Sequence, residues 1–276
     1  MGIEVTPLSP ALGAAVRGVD LAAPLDAATV AEIRALWLRH VILVFPGQEL
    51  DEDAQERFGR AFGELQDVRT GKAQEKGHPG IMLITNVRDT GMTTALEDGD
   101  MQFHTDQCYY EMPCEATILY AMEVPATGGH TLFANCTAAY DALPADIKAR
   151  IAGRAALNVY DYNADPTHRT EAMNWEAPHW AHPVVRTHPE TGNKALYVCR
   201  LMSWRIEDME QAESDELLSY LFDHMEQPEF VYEHVWRVGE LIMWDNRCSV
   251  HARTHFEPTA RRMMRRITTK GLEPVV

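Results

Sequence analysis

From residue 117 to residue 269 the chain is a succession of short β-branched and apolar runs, most of them bounded by turn signals. The runs fall at 117–122, 131–134, 155–160, 183–186, 195–198, 231–238, 241–244 and 262–269. Pro189-Glu190-Thr191-Gly192 is a turn between two of them, and Gly128-Gly129 introduces another. Two helical patterns interrupt the series, near 145–151 and 214–225. So many short strands with so little helix between them predict a sandwich or barrel, not a parallel βαβ sheet.

The first hundred residues are mixed. Short β-like runs at 3–7 and 15–19 precede a helix that Asp26 can N-cap, with Val30, Ile33, Leu36 and Trp37 on one stripe. Residues 41–45 read as a buried strand closed by Pro46-Gly47. A second helix follows from about Asp53, with Phe58 and Phe62 four apart, and 81–85 is another core strand. The polar stretch 86–102 and the weakly periodic stretch 161–182 read as loops, candidates for a lid over a substrate. With no internal repeat and no Pro/Gly/Ser linker, residues 1–276 are expected to form a single domain.

Composition narrows the function. Hydrophobic residues make up 46% and charged residues 24%, enough to build a large core and too apolar for disorder. The 41 acidic residues outnumber 25 Lys and Arg, giving a formal charge of −16, which repels nucleic acid and anionic membrane. The basic charge gathers late, at Arg261, Arg262, Arg265, Arg266 and Lys270, which suits a small anionic ligand. Five cysteines, odd in number and never spaced CxxC, read as reduced thiols. Neither a signal-peptide pattern nor an apolar run long enough to span a bilayer is visible, so a cytoplasmic protein is expected.

The chemistry concentrates in a few places. In Phe103-His104-Thr105-Asp106, an imidazole and a carboxylate two residues apart share a face if the segment is a strand. An isolated HxD is a common surface pair. His251 can complete a set, because the apolar run 241–244 leads through Asp245-Asn246-Arg247 and then delivers it. Two His and one carboxylate leave coordination positions open, the pattern of non-haem Fe(II) oxygenases. In 261–266 a strand would put Arg262 and Arg266 on one face and Arg261 and Arg265 on the other. Guanidinium groups suit bidentate carboxylate recognition, although four arginines alone also fit a solvated edge. After the Gly128-Gly129 turn, Thr131 opens a strand with a hydroxyl available to an anion.

In their order and spacing these segments resemble the taurine dioxygenase/2,4-dichlorophenoxyacetate dioxygenase family (TauD/TfdA) of Fe(II)/2-oxoglutarate-dependent oxygenases. The likeness spans nearly the whole chain, from Gly18-Val19-Asp20-Leu21 and Ala61-Phe62-Gly63-Glu64-Leu65 through the HxD pair to the arginine strand. It implies a mostly β fold with flanking helices, a double-stranded β-helix or jelly roll. It also implies Fe(II) held by His104, Asp106 and His251, with 2-oxoglutarate and O₂ as cosubstrates. Thr131 and Arg262 would hold the distal carboxylate of 2-oxoglutarate. Arg266 and Asp100 would face a small-molecule substrate, Asp100 standing where the taurine enzyme has Asn. Val68 stands where that enzyme has a sulfonate-binding His, so the resemblance does not imply taurine itself. Relatives of this kind form homo-oligomers, dimers or tetramers. Two other readings fit the same residues: a zinc hydrolase using the His/Asp/His site, and a non-catalytic jelly-roll module that binds small anions.

Overall fold

The computed structural model describes residues 2–68, 74–75, 77–87, 101–160 and 173–276. The chain opens with β1 (Glu4–Pro7), β2 (Ala14–Arg17), helix α1 (Ala27–His40), β3 (Ile42–Phe45) and helix α2 (Glu52–Arg60). It continues through β4 (Gln74–Glu75), β5 (His78–Thr85), β6 (Met101–His104), β7 (Ala116–Glu123) and β8 (Thr131–Asn135). Helices α3 (Cys136–Ala142) and α4 (Ala145–Ile151) lead to β9 (Ala155–Val159), β10 (His179–Pro183), β11 (Val185–Thr187), β12 (Lys194–Leu196) and β13 (Ser203–Ile206). Helix α5 (Gln211–Met225), β14 (Val231–His234), β15 (Leu241–Asp245), β16 (Ser249–Arg253) and β17 (Met263–Thr268) complete it.

Two sheets form the frame. The larger runs β1-β2-β3-β15-β7-β17-β5-β4 and the smaller β14-β8-β16-β6; apart from the parallel β2–β3 pair, their neighbours are antiparallel. This is a mostly β jelly roll with flanking helices, as the run of short strands predicts. Period-two alternation explains how the larger sheet serves two cores. Ile42, Val44, Leu119, Ile242, Trp244 and Met264 point inward towards the face of the smaller sheet that carries Phe133, whose ring lies 5.5 Å from that of Trp244. Leu43, Phe45, Ile118, Tyr120, Met243 and Ile267 point outward beneath Ile33, Trp37 and Phe58 of the two N-terminal helices. Covered on both faces, β3 is buried at every position, hence its unbroken Ile-Leu-Val-Phe sequence.

Local signals account for the element ends. Asp26 caps α1 by accepting the Thr29 N–H at 2.7 Å, and Asp51 does the same for α2 through Ala54 at 2.8 Å. Phe62 lies two residues beyond α2 yet still packs on Phe58, with ring centroids 5.0 Å apart. The stretch 161–182, expected as one loop, ends in β10, which pairs with β9. Its first twelve residues, like 88–100 of the other expected lid, lie outside the described residues.

β10 also carries a buried titratable group. His182 Nε2 donates to the Tyr110 carbonyl at 2.8 Å, and burial pushes its pKa down to about 4. The neutral ring belongs to the folded state, so its contribution is complete above the ordinary His value and is lost as pH falls from there toward 4. His182→Gln keeps a donor for that carbonyl and does not titrate. It is expected to flatten the acid-denaturation profile in this window by up to about 3 kcal/mol.

Candidate metal centre

His104 closes β6 and His251 occupies the middle of β16, and the two are antiparallel partners in register. Their rings therefore leave the same face side by side, with centroids 4.1 Å apart. Asp106 arrives by a different route from strand alternation. β6 ends at His104, and Asp106 stands in the turn beyond it, just before Gln107 at φ 62°. The three buried side chains offer ligand atoms that all lie within 4.8 Å of one another, with His251 Nε2 4.0 Å from Asp106 Oδ2.

The environment sets protonation states suited to ligation. His104 Nδ1 lies 2.9 Å from the Gln102 carbonyl, which assigns the proton to that nitrogen and leaves Nε2 as the lone-pair donor. Burial lowers both imidazoles, His251 to about 3 with help from the charge on His104, so both are neutral at pH 7. Burial alone would raise Asp106. Arg266, the two imidazoles and the Thr117 hydroxyl outweigh it and hold the carboxyl well below the usual range. Two neutral imidazoles and one carboxylate are a donor set for a divalent first-row cation.

Asp106 is oriented by a directed chain. Trp244 Nε1 donates to Asn246 Oδ1 at 3.0 Å, Asn246 Nδ2 donates to Thr117 Oγ1 at 2.8 Å, and Thr117 donates to Asp106 Oδ2 at 2.7 Å. Arg266 Nη1 reaches the other oxygen at 3.1 Å. The Trp244 ring also packs 4.8 Å from His251. Asp245 serves a different purpose. It accepts from Arg247 Nε at 2.8 Å, Arg247 Nη2 at 2.7 Å and His188 Nε2 at 3.1 Å. Arg247 continues to Glu190 at 2.7 Å. His188, Asp245 and Cys248 also converge. There, however, both carboxylate oxygens and both His188 nitrogens are already engaged, so that cluster braces the turn.

A cavity of about 50 Å³ extends from His104 and His251 between the sheets to Thr131, Arg253 and Arg262. Arg262 precedes β17 instead of lying in it. Its backbone N–H donates to Asn86 Oδ1 at 2.9 Å and its carbonyl accepts from Thr85 Oγ1 at 2.8 Å. The side chain is 3% exposed, and its Nε has no hydrogen-bond partner among the described residues. Burial, followed by the charge of Arg253, pushes its pKa down to about 9. Thr131 Oγ1 accepts from Trp236 Nε1 at 2.9 Å, which leaves its own proton for another acceptor. The preceding turn needs its glycine: at Gly128, φ is +72° and a Cβ would lie 2.2 Å from the His255 carbonyl oxygen.

The remaining arginines divide by face. Arg265 points outward, buried beneath α2 against Glu52 and the Leu50 carbonyl, and Arg261 pairs with Glu123 at the surface. Arg266 points inward and lines both the 50 Å³ cavity and a second one of about 110 Å³. Val68, Met82, Tyr109, Tyr110 and Tyr160 line the second, with the Tyr109 ring 4.5 Å from each of the other two tyrosines. Asp100 lies outside the described residues. Sequence reasoning misses Thr117 and Trp236. A Thr inside the apolar run 116–121 was a readable cue for the first; Trp236 sits in the connection after β14 and carries none.

Comparison with known proteins places this geometry. The (S)-phenoxypropionate/alpha-ketoglutarate-dioxygenase of Sphingobium herbicidovorans is 35% identical, with 95% of this chain and 92% of the relative covered. The alpha-ketoglutarate-dependent 2,4-dichlorophenoxyacetate dioxygenase of Cupriavidus pinatubonensis is 33% identical, with 98% of each covered. The crystal structure of a taurine dioxygenase from Burkholderia xenovorans superposes with a TM-score of 0.85 at 31% identity, over 99% of this chain and 90% of that one. Residues 4–268 match the family described as taurine catabolism dioxygenase TauD, TfdA family. With that match over nearly its full length, the chain belongs to the TauD/TfdA family of dioxygenases.

Proposed function

We propose that the protein is an Fe(II)- and 2-oxoglutarate-dependent dioxygenase that hydroxylates a C–H bond of a small anionic substrate, the whole chain serving as one catalytic domain. The observation that carries this reading is a single cavity with His104 and His251 of the buried His-Asp-His donor set at one end and, at the other, a buried Arg262 whose Nε has no partner among the described residues. A dicarboxylic keto acid fits both ends. A zinc hydrolase would share the donor set but would leave Arg262 buried with nothing to do.

In this reading His104, Asp106 and His251 hold the metal, and Thr131 and Arg262 hold the distal carboxylate of 2-oxoglutarate. Bound Fe(II) supplies the activation of O₂ and the oxidative decarboxylation that yields succinate, CO₂ and the hydroxylated product. The chain's own part is positioning and exclusion of water. Thr117 and Arg266 keep Asp106 ionised and aimed; Trp236 turns the Thr131 hydroxyl proton toward the acid; Phe133 and Trp244 wall His251 with apolar surface. Arg266, between the two cavities, is the substrate's anionic handle, for a carboxylate, sulfonate or sulfate. The three tyrosines of the larger cavity offer ring faces to the rest of the molecule.

The reading is tested by Fe(II)-dependent succinate release from 2-oxoglutarate, screened for stimulation by small anions. Once a substrate is found, Arg266→Ala is expected to raise its KM by about tenfold or more, the worth of a charge-assisted hydrogen bond, and to change the KM for 2-oxoglutarate far less. Equal loss for both ligands, or none for either, contradicts the role given to Arg266.

A further inference from the structure

Resting on that reading, we infer that His234, anchored by Glu240, is a positioning residue for the keto acid: it sets the Trp236 indole, whose N–H holds the Thr131 hydroxyl toward the distal carboxylate. His234 closes β14 and is the direct ladder partner of Thr131 on β8. The alternation of the strand continues past its end, with His234 and Trp236 buried and Glu233 and Val235 exposed. The His234 ring stands edge-on against the Trp236 indole, with centroids 4.9 Å apart and planes at 84°. Trp236 Nε1 in turn donates to Thr131 Oγ1 at 2.9 Å. Among the described residues that line the cavity, Thr131 is present and His234 and Trp236 are not, so His234 acts through its neighbours.

The ring itself is fixed at both nitrogens. Nε2 donates to Glu240 Oε2 at 3.0 Å, and Nδ1 accepts from the Tyr232 hydroxyl at 3.1 Å. Glu240 Oε2 also accepts the Arg237 N–H at 2.8 Å, so the same carboxylate closes the loop in which Trp236 stands. Burial alone would raise the Glu240 carboxyl; the bonds from His234 and Arg237 outweigh it and hold it below its ordinary value. A His–Glu pair 5% and 3% exposed typically stabilises a fold no better than apolar side chains of like volume. Its directed hydrogen bonds do what apolar packing cannot, fixing the plane of the ring on which the indole rests. A threonine hydroxyl left to itself turns to a nearby backbone carbonyl. With one lone pair taken by the indole N–H, its proton stays available to a bound carboxylate.

The test is a double-mutant cycle read by calorimetric binding to the Mn(II)-loaded protein, which requires no turnover. The two ligands are 2-oxoglutarate and 2-oxopentanoate, its analogue without the distal carboxylate. Trp236→Phe keeps an aromatic ring and removes the N–H; His234→Gln keeps a donor for Glu240 and removes the ring. Each is expected to weaken 2-oxoglutarate by about three- to tenfold, the worth of one hydrogen bond, and the double variant by no more than Trp236→Phe alone. Mn(II) and 2-oxopentanoate should bind all three variants as they bind the parent. If either single variant binds 2-oxoglutarate like the parent, or the two losses multiply in the double variant, His234 does not act through Trp236. If His234→Gln weakens both acids, or Mn(II) as well, its role is structural. Each of these results overturns the inference and leaves the cosubstrate assignment standing. A parent protein that binds Mn(II) but neither acid overturns both.

Discussion

Asp106→Ala is expected to lower the affinity for a divalent metal by well over a hundredfold. Removing a hydrogen-bond partner of a metal ligand typically costs about 10- to 100-fold, so removing the ligand itself must cost more. The burial of Asp106 sharpens the effect. Arg266 Nη1 lies 3.1 Å from its carboxylate, and loss of that charge removes a mostly buried ion pair, which costs stability. The variant should thus lose both metal binding and thermal stability. Thr117→Val is the milder counterpart. It removes the 2.7 Å hydrogen bond to Asp106 but keeps the charge, so metal affinity should fall by about tenfold, with a stability loss of about 1–3 kcal/mol from the Asn246 amide that also loses this acceptor. Metal titrations followed by calorimetry, with thermal melts of the apoprotein alongside, check both expectations. Unchanged metal affinity in Asp106→Ala would remove Asp106 from the ligand set.

Arg262→Met is expected to act in opposite directions on binding and on stability. Loss of a charge-assisted contact to the distal carboxylate should weaken 2-oxoglutarate by about 10- to 150-fold, corresponding to about 1.5–3 kcal/mol. Without ligand, however, the parent carries a guanidinium that is 3% exposed, has an Nε with no partner among the described residues, and feels the like charge of Arg253. An apolar side chain of similar length removes that penalty, so the ligand-free variant should melt no lower than the parent, and higher if packing is kept. A purely structural arginine would show the reverse, lost stability with unchanged affinity. Thermal melts with and without 2-oxoglutarate distinguish the two patterns in one experiment.

The legible parts of the fold were those governed by local periodicity. The Asp26 cap, the apolar run ending at Phe45 and the β-rich second half are all readable because burial on a sheet face demands side chains of one kind at fixed spacing. What stayed hidden depends on partners far away in sequence. α3 is a seven-residue helix capped by Asn135, too short to show a stripe, and β13 and β16 are interrupted by polar residues whose burial only the assembled sheets explain. The HxD spacing pointed at one locus for the wrong local reason. His104 and Asp106 converge through a strand end and a turn, and a spacing of two is compatible with both. Arg265 shows the limit of pattern reading most clearly. Its alternation against Arg266 is visible in the sequence, but only the position of α2 reveals that Glu52 and the Leu50 carbonyl bury it as a structural residue.

Anaerobic addition of Fe(II) and 2-oxoglutarate to the apoprotein, followed by visible absorption, probes the metal and the keto acid at once. A weak metal-to-ligand charge-transfer band is expected, present only when both are added and absent in His104→Ala. A correctly folded protein that gives no band, yet binds zinc tightly, would contradict the dioxygenase assignment and favour a hydrolase built on the same three side chains.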